Sequence, residues 1–169
     1  DPRARDLTNS VGTSIVYDPA AYQWQTSNFQ IASWNELVIY EMHIGTFGTS
    51  ASGSPPATFT NAISKLDHLS NLGVNCISLM PINEFPGDLS WGYNPSYPFS
   101  VESAYGGPNE LKKFVDACHA RGIAVLGDVV HNHYGPNDLS MWQYDGWSQN
   151  GNGGIFFFND ADVFAHDVD

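Results

Sequence analysis

Apolar residues first gather without a break in Leu37-Val-Ile-Tyr-Glu-Met-His-Ile44, which ends at Gly45. So continuous a run predicts a strand covered on both faces. A loop rich in Gly, Ser and Pro follows from Gly48 to Pro56. The spacing then becomes helical, with Phe59, Ala62, Ile63, Leu66 and Leu69 on one side and Gly73 as a stop. Val74-Asn-Cys-Ile-Ser-Leu-Met80 predicts a second strand, closed by Pro81, and a long loop runs on to Gly107. Pro108 opens another helix, which turns Leu111, Phe114, Val115 and Cys118 inward and stops at Gly122. A third apolar run, Ile123-Ala-Val-Leu-Gly127, leads straight into Asp128. Strand, helix, strand, helix, strand, with crossovers this long, predicts an α/β fold with a parallel sheet.

The flanks are less regular. Residues 1–34 form a lead-in of Pro, Asn, Ser and Thr with one short strand candidate, Ser14-Ile-Val-Tyr17. It reads as the tail of a preceding domain plus a linker, leaving residues 35–169 as the regular unit. Beyond His133 the pattern decays into aromatic, Asn- and Gly-rich sequence, and Asn150-Gly-Asn-Gly-Gly154 predicts a turn.

Charge narrows the functional classes. Six Lys and Arg against 18 Asp and Glu give a net charge of −12, which repels nucleic acid and anionic membranes. No apolar run approaches the ~20 residues of a spanning helix. An apolar fraction of 42% with 14% charged residues indicates a folded core. Cys76 and Cys118, on a predicted strand and an apolar helix face, read as free buried thiols with no His base pattern beside them. Without a disulfide framework or signal-peptide pattern, the expected location is cytoplasmic. The start at Asp1-Pro2, without Met, reads as an excerpt from something longer.

Chemistry concentrates where the third strand emerges. In Asp128-Val-Val-His-Asn-His133, a carboxylate, an amide and an imidazole stand at a strand end, where parallel α/β proteins bind ligands. Asp128, Asn132 and His133 could hydrogen-bond a hydroxyl-rich ligand or offer oxygens to a hard cation; the alternative is a set of loop caps. His131 and His133 also form an HxH pair. Zinc would need further ligands from other strand ends, which offer only His43. In Trp91-Gly-Tyr-Asn-Pro95 two aromatics flank a glycine that lets the backbone turn sharply. Trp91, Tyr93, Tyr97, Tyr134, Trp142, Tyr144 and Trp147 all fall in loop-like sequence. Such rings supply stacking surfaces or a second core beneath long loops. His68, His119 and His166 read as surface or structural.

These residues carry a resemblance. Val38-Ile-Tyr-Glu-Met-His-Ile-Gly-Thr-Phe47, Trp91-Gly-Tyr-Asn-Pro95, Tyr105-Gly-Gly-Pro108 and Asp128-Val-Val-His-Asn-His133, in that order, resemble the α-amylase superfamily of glycoside hydrolases and transglycosylases. The match runs from about residue 36 to 140. The first strand and Thr8-Asn-Ser-Val-Gly12 most resemble glycogen branching enzymes and their trehalohydrolase and isoamylase-like relatives. The resemblance implies the first three strand-helix units of a (β/α)₈ TIM barrel, with a lead-in from a preceding β-sandwich. It also implies action on α-1,4-glucans by a retaining double displacement, branching-enzyme-like, with α-amylase or trehalohydrolase as the alternative. By motif, Tyr93 would stack under the sugar, Asp128 and His133 would hold its hydroxyls, and Trp91 would belong to the same site. Asn132 matches a calcium ligand of many α-amylases, although branching-type relatives commonly lack that ion. No other cofactor is implied.

The match also breaks. Retaining hydrolysis needs two carboxyls about 5–5.5 Å apart. The family's nucleophile is an Asp two residues after an Arg on the fourth strand, and its acid/base is a Glu on the fifth. No Arg follows Arg121 and no Glu follows Glu110. Hence no catalytic residue is expected in these 169 residues; the pair would lie beyond Asp169, and this segment alone would be inactive. A non-catalytic glucan-binding segment and a metal-dependent amidohydrolase-type barrel are the rivals. Since such a barrel takes ~250 residues, three strands would leave an open sheet with two bare edges.

Overall fold

All three predicted strands form, and they pair in parallel. β1 (Ile39–Met42), β2 (Cys76–Leu79) and β5 (Ala124–Gly127) lie side by side in the order β1-β2-β5. Their registers align Ile39 with Cys76 and Cys76 with Ala124. The structure, a computed structural model, describes residues 1–48, 56–132, 146, 148–149 and 152–153. The expectations for His133, Tyr134, Trp142, Tyr144, Trp147 and His166, and most of the Gly48–Pro56 loop, therefore lie outside the described residues. So do the turn residues expected between Ser148–Gln149 (β6) and Asn152–Gly153 (β7), which pair antiparallel.

Alternation along the strands divides the sheet into two unlike faces. Tyr40, Met42, Ile77, Leu79 and Val125 join a core with residues of the helices and connections: Phe59, Leu66, Leu69, Phe114, Cys118 and Tyr105. Each large apolar side chain buried there contributes about 1.5–3 kcal/mol, so this layer holds the sheet to its helices. The opposite face carries Ile39, Glu41 and Leu126, all exposed. The sequence predicts cover on both faces. Among the described residues one face is covered, whereas on the other only Cys76 and Ala124, at the start of β2 and β5, are buried.

Two further departures have local causes. The single helix expected over residues 59–69 is broken into α1 (Phe59–Ile63) and α2 (Leu66–Asn71). At the break the Ser64 hydroxyl donates to the Asn61 carbonyl at 2.6 Å, competing with the backbone ladder. Both pieces still bury their apolar pairs, Phe59 with Ala62 and Leu66 with Leu69. Thr58 starts α1 with a reciprocal cap, trading hydrogen bonds with Asn61. The loop expected from Pro81 to Gly107 holds an antiparallel pair, β3 (Asn83–Glu84) with β4 (Tyr97–Val101), and a 3-10 turn at Ser103–Tyr105. α3 (Gly107–His119) begins with Pro108 in its first turn, as the sequence predicts.

The lead-in forms no strand over Ser14–Tyr17, only an isolated bridge between Leu7 and Ser14. It lies along α3. The Asp116 carboxylate accepts the backbone N–H groups of Gln25 and Thr26, both at 2.8 Å, and the Tyr22 hydroxyl at 3.2 Å. Lys112 donates to the Pro19 carbonyl, and Phe29 stacks on His119 with ring centroids 4.0 Å apart. Burial pushes the Asp116 carboxyl up, but these donors outweigh it and hold it below its ordinary value. Both thiols are buried and free, and burial raises Cys118 to about 12.

Candidate functional site

The carboxyl ends of the three parallel strands deliver His43, Pro81 and Asp128 to one rim, each within two residues of its strand. The loop from Asp88 to Pro95 is laid across that rim and touches all three. At β5, the Tyr93 hydroxyl donates to Asp128 Oδ2 at 3.0 Å. This bond, helped by the nearby negative charge, raises the Tyr93 phenol above its ordinary value. Asp128 itself is fixed by its backbone N–H, which donates to the Leu79 carbonyl and so extends the sheet by one residue. Among the described residues its second carboxylate oxygen has no hydrogen-bond partner.

At β2, Gly92 meets Pro81. Gly92 has φ +87°, and a Cβ there would lie 2.4 Å from the Pro81 carbonyl oxygen. Both the turn and the close approach demand glycine. At β1, the Ser90 carbonyl lies 2.8 Å from His43 Nε2. The Ser90 hydroxyl, in turn, donates to Asn94 Oδ1 at 2.7 Å and accepts the Gly92 N–H at 3.0 Å, bracing the turn.

The result is an aromatic edge facing outward. Trp91 is 72% exposed and Tyr93 41%, although both stand on a backbone anchored at Gly92, Pro95 and Ser96, all buried. Beside them a cavity of about 250 Å³ is lined by His43, Thr46, Asp88, Leu89, Trp91 and Tyr105, among others. An exposed ring beside a carboxylate suits a ligand with one apolar face and a rim of hydroxyls. It does not suit a phosphate, which the Asp128 charge would repel.

Of the site residues expected from the sequence, Tyr93 and Asp128 are brought together and Trp91 stands on the same turn. His133 lies outside the described residues. Asn132 is half-buried just past Asp128. Calcium takes roughly six to eight oxygen ligands, and among the described residues no group of three or more His, Cys, Asp or Glu could hold a metal ion. The described residues alone therefore do not make up a cation site around Asn132. Of the HxH pair, only His131 is described, because His133 lies outside the described residues.

Sequence reading missed a buried carboxylate pair beneath the loop. Glu84 and Glu102 are fully buried. Glu84 accepts the Ser103 N–H at 2.7 Å and its hydroxyl at 3.1 Å, while Glu102 accepts the N–H groups of Phe85 and Ala104. Burial pushes Glu84 up to about 7. Burial, and then the neighbouring Glu84, push Glu102 up to about 8. Nothing in the composition marks these two among 18 acidic residues.

Residues 48–153 match the family described as alpha amylase, catalytic domain, and the chain belongs to that family. Its fold is accordingly that of a TIM-barrel catalytic domain, of which the three parallel strands are part. A malto-oligosyltrehalose trehalohydrolase from Rhizobium sp. is 41% identical over 154 residues, covering 90% of this chain and 25% of that protein. One from Mycobacterium tuberculosis is 51% identical over 100 residues, which is 59% of this chain and 16% of that protein. The branching enzyme GlgB of Photobacterium profundum is 36% identical over 155 residues, or 89% of this chain and 20% of that protein. The chain thus spans about a quarter or less of the length of these relatives. Among solved structures, a Salmonella typhimurium protein assigned as an alpha amylase superposes with a TM-score of 0.76 at 35% identity, over 98% of this chain and 28% of that one. Among the described residues no helix is long and apolar enough to cross a membrane.

Proposed function

We propose that this chain supplies a sugar-binding part of the active site of an α-glucan-cleaving enzyme. A glucosyl ring lies on Tyr93, and Asp128 accepts hydroxyl hydrogens from it. The observation that carries the reading is the 3.0 Å bond between Tyr93 and Asp128 at the strand ends, with the ring exposed and the second Asp128 oxygen without a partner among the described residues. Trp91 extends the apolar surface, and His133 is the candidate for a further hydroxyl contact. None of these groups is assigned a covalent role; they bind and orient the sugar. Glu41, exposed on β1, raises the Tyr93 phenol only through its charge.

Within that class, the reaction we favour is hydrolysis of a malto-oligosaccharide that ends in trehalose. The trehalohydrolase names of several relatives at 41–51% identity support it over the branching reaction that the first strand suggests, although a branching enzyme at 36% identity is also similar. The two reactions differ in whether water or a sugar hydroxyl receives the cleaved chain. Incubating the full-length gene product with a malto-oligosaccharide terminated by trehalose, and separately with amylose, distinguishes them. Release of free trehalose is the expected result. New α-1,6 branches in amylose would establish the branching alternative. Binding of either glucan without turnover would favour a non-catalytic segment.

A further inference from the structure

The exposed rings of the Asp88–Pro95 loop present a physical problem. Leu89 at 76% and Trp91 at 72% exposure contribute little burial energy to hold the loop in place. Its position over the strand ends must come from polar anchors and close backbone contacts. One of these anchors is a side chain at the end of a different strand, His43 after β1.

We infer that His43 is a positioning residue that fixes the Ser90–Tyr93 turn, and through it the Tyr93 ring, over the strand ends. Nε2 of His43 lies 2.8 Å from the Ser90 carbonyl oxygen, which can only accept, so Nε2 carries the hydrogen. Nδ1 then faces the Thr46 hydroxyl at 3.1 Å as an acceptor, and the His43 carbonyl at 3.4 Å competes for the same hydrogen. The Tyr105 hydroxyl sits 3.2 Å from Nε2, and the two rings meet edge-on at 88°.

The imidazole is held tightly enough to act as an anchor. Tyr105 is itself fully buried, packed edge-on against both Phe59 and Phe85 in the core. A Cβ on Gly45 would lie 2.9 Å from the Tyr105 hydroxyl oxygen and 3.0 Å from His43 Cε1, so no larger residue fits beside the pair. A continuous chain of contacts therefore runs from the core through Tyr105 and His43 to Ser90. From Ser90 it reaches Gly92 and Asn94, and then the ring that meets Asp128. His43 touches neither partner of the Tyr93–Asp128 bond. Its contribution is geometric: it removes alternative placements of the turn before ligand arrives.

The ligand-binding part of this inference rests on the function proposed above, and the test separates the two. His43→Gln keeps an N–H near the Nε2 position, His43→Asn keeps a group only near Nδ1, and His43→Ala keeps neither. In the full-length gene product, hydrogen exchange of residues 88–94 without ligand reads the loop directly. Affinity for maltotetraose and the split between KM and kcat read its consequence. The expected result is faster exchange over 88–94 in H43A and H43N, with KM raised roughly tenfold, the effect of losing one hydrogen bond, and kcat changed less. H43Q should recover both to within about twofold. Thermal midpoints should not follow that ranking if the role is positioning rather than general stability.

Unchanged exchange and KM in H43A would overturn the inference, as would an H43Q variant no better than H43A. Failure of H43A to fold leaves H43Q against H43N to decide. If the unmodified protein binds no glucan, the proposed function fails. The exchange comparison then still supports or overturns the clamp by itself.

Discussion

Tyr93 and Asp128 are 35 positions apart in sequence and meet through one hydrogen bond. Each half was legible separately: Asp128 because it directly follows an apolar strand, Tyr93 because a glycine beside it forces a turn. The resemblance brings both to one sugar, but their direct bond was not legible, because it depends on Gly92 lying against the Pro81 carbonyl and on Ser90 reaching His43. No local pattern records either contact. At this scale the two side chains should separate experimentally. Tyr93→Ala removes the stacking ring, whereas Tyr93→Phe removes only the bond to Asp128. In the full-length protein, Y93A is expected to weaken maltotetraose binding roughly tenfold and Y93F by less. Asp128→Ala removes a charged acceptor and should cost about 1.5–3 kcal/mol, or roughly ten- to a hundredfold. Calorimetry on the three variants checks the order; Y93F as damaging as Y93A would show that the ring is not a stacking surface.

Among the elements, the three strands and α3 follow from apolar runs and the Pro108 and Gly122 punctuation, and they appear within a few residues of their predicted bounds. The β3–β4 pair was hidden, although Tyr97, Phe99 and Val101 alternate as a strand should. Pro98 in their midst argues against a strand, and the pairing partner is only two residues long. The two buried glutamates tie this pair to the turn before α3, and their chemistry gives it a pH dependence. Both have folded-state pKa values above the ordinary 4.5, at about 7 for Glu84 and about 8 for Glu102. The stability tied to their protonated forms is complete below about pH 4.5 and is lost as pH rises through about 7 and 8. The melting temperature should therefore fall between pH 5 and 8, and the double change Glu84→Gln with Glu102→Gln should flatten that slope. Asp116 works in the opposite direction. Its depressed value means that the lead-in's grip on α3 weakens only in acid, as pH drops below about 3.8. A wild-type melting temperature that rises from pH 5 to 8 would contradict the assignment of the glutamate pair.

For the whole molecule, the described sheet has β1 and β5 at its edges, and one face is exposed at Ile39, Glu41 and Leu126. Ile39, Leu126 and Val129 are exposed at 47%, 37% and 62% on these two strands and just beyond β5. Apolar runs meant for a covered sheet, left bare on one side, favour association. Residues 1–169 prepared alone are expected to self-associate, with light scattering showing species heavier than the 18.5 kDa chain. A monomer with one cooperative melt would show that the covered face alone suffices. The contacts of the lead-in with α3 bear on the same question, since they seal the helix layer but leave the exposed face untouched.

The central claim is that a glucosyl ring occupies the space over Tyr93 with its hydroxyls on Asp128. A crystal structure of the full-length protein with a bound malto-oligosaccharide tests this most directly. The expected density has a sugar ring about 4 Å from the Tyr93 ring plane and a hydroxyl within about 3 Å of the second Asp128 oxygen. Sugar bound elsewhere, with Tyr93 and Asp128 contacting only each other, would contradict the account.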